Sequence, residues 1–258
     1  MQRPPDRRSP PILFGRPTHE WISRVDQRLK QLSAIELSAE AKDRLRGWTE
    51  VEFTDSTLQL GGVAVSRQEI ARLVSMPSLA GEASIGADSI IIRLIESLRV
   101  VESLAREEGR KASLTPDLLI RIHNASDDSL GFRASGGVAS RGHQPVLAEH
   151  LPAAVDAACR WFSAESFDEL HPVEQGAIVF LRLIEIQPFE EGHERTALLA
   201  ASLFTLRREL PPVIVTPAME PAYRNAIDEG FRMNTKPMVE LVAEAVSRTL
   251  DQLLAIAA

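Results

Sequence analysis

The chain has 258 residues, one cysteine, one tyrosine and only 5% aromatic residues. The single cysteine, Cys159, excludes an intrachain disulfide framework and a four-cysteine zinc site. It follows the largely apolar stretch 153–158 and reads as a small buried thiol rather than a nucleophile. A basic excess is also missing. With 29 Lys and Arg against 36 Asp and Glu, the net charge is −7. That balance argues against a broad nucleic-acid or anionic-membrane surface. No run of 18 apolar residues occurs, so no membrane span is expected. Residues Met1 to Pro17 hold five prolines and four arginines and lack the apolar core of a signal peptide. They read as a flexible tail on a cytoplasmic protein, or as a short arginine-rich docking segment. The six histidines include no HExxH pair, and His143 and His150 stand seven apart across Pro145. That geometry is poor for a metal-histidine site. No 20–50-residue repeat stands out.

What is present is helical periodicity over a length able to bury a real core. In the C-terminal segment Met238, Leu241, Val242, Ala245, Val246, Leu250, Leu253 and Leu254 mark one face, behind Pro237 at a first-turn position. Further helices are expected over 19–32, 39–48, 66–74, 89–106, 116–124, 152–162, 172–185, 195–210 and 218–231. Ser66 with Glu69 has the spacing of a capping box. Pro211 and Pro212 stop one helix and Gly230 ends another. Two stretches resist a helical reading: 55–65, with Gly61 and Gly62, and 130–142, with four glycines and weak alternation. The second is expected to form a hairpin or loop. The expected fold is one all-α domain over 18–258 with a small β-hairpin. Its parts are N-terminal helices to 115, a core over 116–212 and C-terminal helices over 213–258.

The glycine-rich stretch around Gly131, Gly136 and Gly137 lacks the Lys-Ser/Thr of a Walker A loop and is not one. The informative segment runs from Ile184 to Thr196. A loop that opens a helix presents unpaired N–H groups and a positive dipole end, so it can bind an anion. Gly192 permits close backbone approach, Arg195 adds a fixed charge, and Glu191 could hold a magnesium ion bridging phosphates. On spacing alone, an acidic interhelical turn with a surface arginine accounts for the segment at least as well.

The segment resembles the Fic motif, His-x-Phe-x-Asp/Glu-Gly-Asn-Gly-Arg-x-x-Arg. The corresponding residues are Gln187, Phe189, Glu191, Gly192, His193, Glu194, Arg195 and Leu198. The helix from His171 to Ile186 is similar to the one leading into the motif. The stretch 130–144, with Gly131, Arg133, Gly136 and Gly137, is similar to the flap that lines up a target segment. Residues 52–69 resemble the inhibitory region, and the likeness covers roughly 48–255. The resemblance implies a Fic-like helical domain related to protein AMP-transferases. These use ATP and magnesium and place AMP on a Ser, Thr or Tyr hydroxyl of another protein. It also implies a protein partner addressed through the flap, and homodimers are frequent in the family. No nucleic-acid or membrane partner is implied.

Several positions depart from the pattern. The family's general base is Gln187 here, and an amide has no basic site near neutral pH. Gly-Asn-Gly becomes Gly192-His193-Glu194, which puts a negative charge where polyphosphate would approach. A protonated His193 would partly cancel it. The arginine that holds the γ-phosphate is Leu198. The inhibitory Ser/Thr-x-x-x-Glu-Gly/Asn becomes Ser56 to Gly61 with Leu60 at the glutamate. Leu60 and Leu198 are therefore expected to replace an ion pair by an apolar contact. The expected protein is a Fic-fold binding or regulatory module without ordinary AMP transfer. The alternative is an active magnesium-dependent nucleotidyl- or phosphotransferase with a relocated base, His193 first, Glu190 or Glu194 next. Removal of AMP from modified proteins, which needs the inhibitory glutamate, is disfavoured.

Overall fold

The computed structural model describes residues 19–76, 87–126, 131–137 and 143–257. The proline- and arginine-rich segment 1–17 lies outside them. The helices are α1 (His19–Ser33), α2 (Ala39–Leu60), α3 (Arg67–Val74), α4 (Ala87–Glu108), α5 (Pro116–Ser126), α6 (Leu151–Phe162), α7 (Glu165–Asp168), α8 (Pro172–Ile186), α9 (His193–Leu206), α10 (Glu220–Phe231) and α11 (Lys236–Ala257). Among the described residues no β-strand forms, and no helix is long and apolar enough to cross a membrane.

Helices α8 and α9 lie at the centre. They pack on each other; α11 and α10 cover α8, and α4 and α5 cover α9. Every residue of α9 from Thr196 to Thr205 is buried, so its sequence is apolar or small all round rather than striped. α1 packs on α11, bringing the first and last described helices together. At the start of α8, His171 accepts from the Val173 N–H, and Glu174 accepts from the His171 N–H at 3.0 Å, a capping box that satisfies two orphan donors. Cys159 is buried, and burial pushes its thiol up to about 12, so it is inert at neutral pH.

Four local expectations are corrected. α2 does not stop near Trp48 but runs to Leu60. Its second half buries Thr54, Asp55, Ser56 and Thr57, so the apolar pattern fades while the helix continues. Asp55 is held by Gln59 (2.6 Å) and Arg67 (2.9 Å), which makes that burial tolerable. The capping box at α3 does not form: Ser66 makes no side-chain cap bond, and Glu69 pairs with Arg72 instead. α9 starts at His193 and ends at Leu206, four residues before the expected stop. Glu209 there adopts a left-handed φ of 64°. Buried Arg207 bonds the Ala112 carbonyl and Gln175 Oε1, each at 2.9 Å. Among the described residues the expected β-hairpin is not found either. Residues 131–137 run as an irregular loop whose polar groups turn inward to the α8–α9 connection; residues 130 and 138–142 of the expected flap lie outside the described residues.

Candidate functional site at the entrance of α9

The α8–α9 connection is built from its own backbone. α8 ends in a left-handed residue, Gln187 (φ 47°, ψ 68°), whose N–H still bonds the Leu183 carbonyl at 2.9 Å. Such a φ in a non-glycine residue is uncommon and carries strain, so the surroundings must hold it. They do. The buried Arg133 guanidinium donates to the Gln187 and Ser135 carbonyls at 2.6 Å each, to the Val146 carbonyl, and to the Ile186 carbonyl at 3.4 Å. Its own N–H donates to the Pro188 carbonyl at 3.0 Å.

Glu190 fastens the same loop from the other side. Its carboxylate accepts the Ala134 and Ser135 N–H groups at 3.2 Å each and the Ser135 hydroxyl at 2.9 Å. The Ser135 hydroxyl and N–H, with the Ala134 N–H and Arg133, hold the Glu190 carboxyl below the usual range. The N–H groups of residues 133, 134 and 135 are therefore all spent on the connection. This is why no strand pairing appears there. Gly137 then closes over the buried Gln187. A Cβ at residue 137 would lie 2.9 Å from Gln187 Oε1 and 2.8 Å from Pro145 Cβ, so only glycine fits.

The descent into α9 rests on an aromatic stack. Phe189 is buried with its ring parallel to His123 of α5, centroids 3.6 Å apart. His123 Nδ1 lies 2.9 Å from Thr196 Oγ1, and that hydroxyl donates to the Gly192 carbonyl at 3.2 Å. Gly192 caps α9 at φ 65°, a conformation that suits glycine.

At the entrance of α9 lies a cavity of about 300 Å³. Leu60 and Gly61 from the end of α2 form one wall; Gly192, His193, Glu194, Arg195 and Leu198 form the other. The two segments paired in the sequence, 56–61 and 187–198, are thus neighbours, with Leu60 and Leu198 both buried beside one space. Ser56 is buried on α2 behind it.

Two further lining residues, Tyr223 and Arg224 of α10, were not anticipated. The Glu194 carboxylate accepts the Tyr223 hydroxyl at 3.0 Å and Arg224 Nη1 at 2.9 Å. Arg224 Nη2 also donates to the Leu60 carbonyl at 3.4 Å. Glu194 therefore does not stand as a bare charge, and its partner is not His193. Burial holds the His193 imidazole below its usual range, against the opposing pull of Glu194, so it is neutral at neutral pH. Its Nδ1 is buried without a hydrogen-bond partner among the described residues. Burial, reinforced by Glu194, keeps the Tyr223 phenol protonated.

The thirty-residue gap from Glu194 to Arg224 left no sequence signal for the pairing. The i, i+3, i+4 stripe of Tyr223, Ala226 and Ile227 did mark the buried face of α10. Glu191 is exposed, and no group of three or more His, Cys, Asp or Glu side chains suited to a metal occurs among the described residues.

With this geometry in hand, the comparisons with known proteins are direct. The model of the Fic/DOC family matches residues 113–205. Protein adenylyltransferase Fic of Nematostella vectensis is 29% identical over 170 residues, 64% of this chain and 39% of that one. Its namesake in Drosophila melanogaster is 29% identical over 110 residues, 43% of this chain and 22% of that one. The chain thus spans well under half the length of these curated relatives. Among solved structures, a Fic domain containing signaling protein from Bacteroides thetaiotaomicron superposes with a TM-score of 0.78 at 18% identity, covering 92% of this chain and 96% of that one. Fic-1 (residues 134–508) from C. elegans gives 0.78 at 19% identity, covering 92% and 71%. At such identities the structures speak for the fold, while the family model and the relatives speak for the motif region. The loop and helices that surround Gln187 and the α9 entrance accordingly lie within the stretch, 113–205, that is similar to Fic/DOC domains.

Proposed function

We propose that this chain is a Fic/DOC protein without ordinary AMP transfer, acting as a binding or regulatory module toward a protein partner addressed through its 130–144 flap. The observation that carries the reading is Gln187. An amide stands at the position of the family's base, buried under Gly137 and strapped in by Arg133. A positioned base is worth roughly 10²–10⁴ in rate, and an amide cannot take the hydroxyl proton.

The residues at the α9 entrance do not fit a magnesium-bound triphosphate. Leu198 offers no charge where a phosphate would need one. Arg224 is already engaged by Glu194, whose carboxylate would repel the incoming anion. Pro188 and Glu190 hold the N–H groups of residues 133–135, so that stretch is pre-ordered. A partner segment would meet Gly136, Gly137 and the loop's outer face rather than those donors.

A second reading is favoured by His193. It is neutral at neutral pH, as a relocated base must be, and lines the cavity, with a buried Nδ1 that has no hydrogen-bond partner among the described residues. Incubation with magnesium and labelled nucleoside triphosphates separates the two, using wild type, His193→Ala and Gln187→His in the presence of a cell lysate. The expected result is no label transfer by wild type. Label that appears with wild type and disappears with His193→Ala overturns the first reading in favour of the second.

A further inference from the structure

A second cavity shares no lining residue with this site. It is an open cleft of about 820 Å³ between α2, α3 and α4. Five arginines (44, 46, 67, 99 and 106) line it with three carboxyl groups (Asp43, Glu50 and Glu102). Three of the arginines are fixed by the protein. Arg99 bonds buried Glu50 at 2.7 Å and the Val74 carbonyl at 3.1 Å. Arg67 is held by Glu52 and Asp55, and Arg46 by Asp43. The other two, Arg44 and Arg106, are exposed and have no hydrogen-bond partner among the described residues. Guanidinium forks without a partner are ready donors for an oxyanion.

Glu102 stands in the same wall, partly buried and likewise without a hydrogen-bond partner among the described residues. Such a carboxyl costs stability unless something meets it. Burial and nearby Glu50 push it up to about 7. When protonated it offers a further O–H donor instead of a repelling charge. Trp48, Val51 and Val74 supply an apolar surface beside these groups.

We propose that the α2–α3–α4 cleft binds a small organic phosphate monoester, its dianion gripped by Arg44 and Arg106 and its flat apolar portion laid on Trp48 and Val51. The dianion matches the two exposed guanidiniums, and an elongated ligand can continue past Arg46, Glu102 and Arg106, which also wall a neighbouring, more apolar cavity of about 520 Å³.

Calorimetric titration of the full chain with phenyl phosphate at pH 8 tests this, with thermal melting to confirm that each variant is folded. Both arginines are exposed, so Arg44→Ser and Arg106→Ser are expected to fold. Wild type is expected to bind saturably. Each arginine variant should bind about tenfold more weakly. Inorganic phosphate should also bind more weakly, because it leaves the apolar wall uncovered. Glu102→Gln should bind up to about tenfold more tightly, since at pH 8 most Glu102 carboxyls are ionised and repel the ligand. Absence of saturable binding up to about 10 mM, wild-type affinity retained in both arginine variants, or binding lost in Arg224→Ala at the α9 entrance would overturn the proposal.

Discussion

The Glu194–Arg224 pair makes the sharpest prediction. In Glu194→Gln the amide oxygen still accepts the buried Tyr223 hydroxyl, so no buried donor is stranded. Only the charge is removed. The pair is about one-third exposed, with side-chain accessibilities of 31% for Arg224 and 36% for Glu194. At that exposure an ion pair contributes about 0.2–1 kcal/mol to stability, so the melting point should hardly move. The effect on an incoming anion is larger. A unit charge about 4 Å away is worth about 1 kcal/mol in water and about 4 at an effective dielectric of 20. For a site this open we take the lower part of that range, near 1.4 kcal/mol, or about tenfold in affinity. Release of Arg224 adds to it. Calorimetry with ATP and magnesium should therefore show weak binding by wild type and at least about tenfold tighter binding by Glu194→Gln. Most of that gain should vanish in Glu194→Gln/Arg224→Ala. Unchanged affinity in the single variant, or the same gain in the double variant, would refute the role given to Glu194. Micromolar or better binding by wild type would refute the account of Glu194 and Leu198 together.

Three further outcomes are expected. Gly137→Ala should destabilise the protein by about 1–3 kcal/mol in urea unfolding, because the new methyl meets the rigid Pro145 ring as well as Gln187; Gln187→Ala should return part of the loss. Arg133→Ala should cost about 3 kcal/mol, since it strands carbonyls of residues 135, 146 and 187, and hydrogen exchange at the Ala134 and Ser135 amides should accelerate. Glu102 titrates near 7 in the folded chain against an ordinary 4.5. Its contribution to stability is therefore full below about pH 4.5 and is lost as pH rises through 7. Glu102→Gln should raise stability by about 2–3 kcal/mol at pH 8 and leave it unchanged at pH 4; equal gains at both would contradict the burial of that carboxyl.

What the sequence by itself determined were features written in local period and local chemistry. The apolar stripe of α11, Pro172 after His171, and Gly192 before α9 each act within one or two turns, so they are readable without knowing what lies opposite. The order of the α8–α9 segment relative to 56–61 and 131–137 was legible only through the family resemblance, and the structure brings those three segments to one place. The tertiary structure alone decided the rest. α2 continues through Asp55, Ser56 and Thr57, and the Asp55 carboxylate is satisfied by Gln59 and Arg67, which no stripe could reveal. The expected hairpin became an inward loop because Arg133 and Glu190 consume the groups a strand would have paired. The charge of Glu194 is answered by Arg224, thirty residues away, and His193 is neutral rather than compensating. Electrostatic partners are chosen by distance in space and by the local dielectric, and neither quantity is written along the chain.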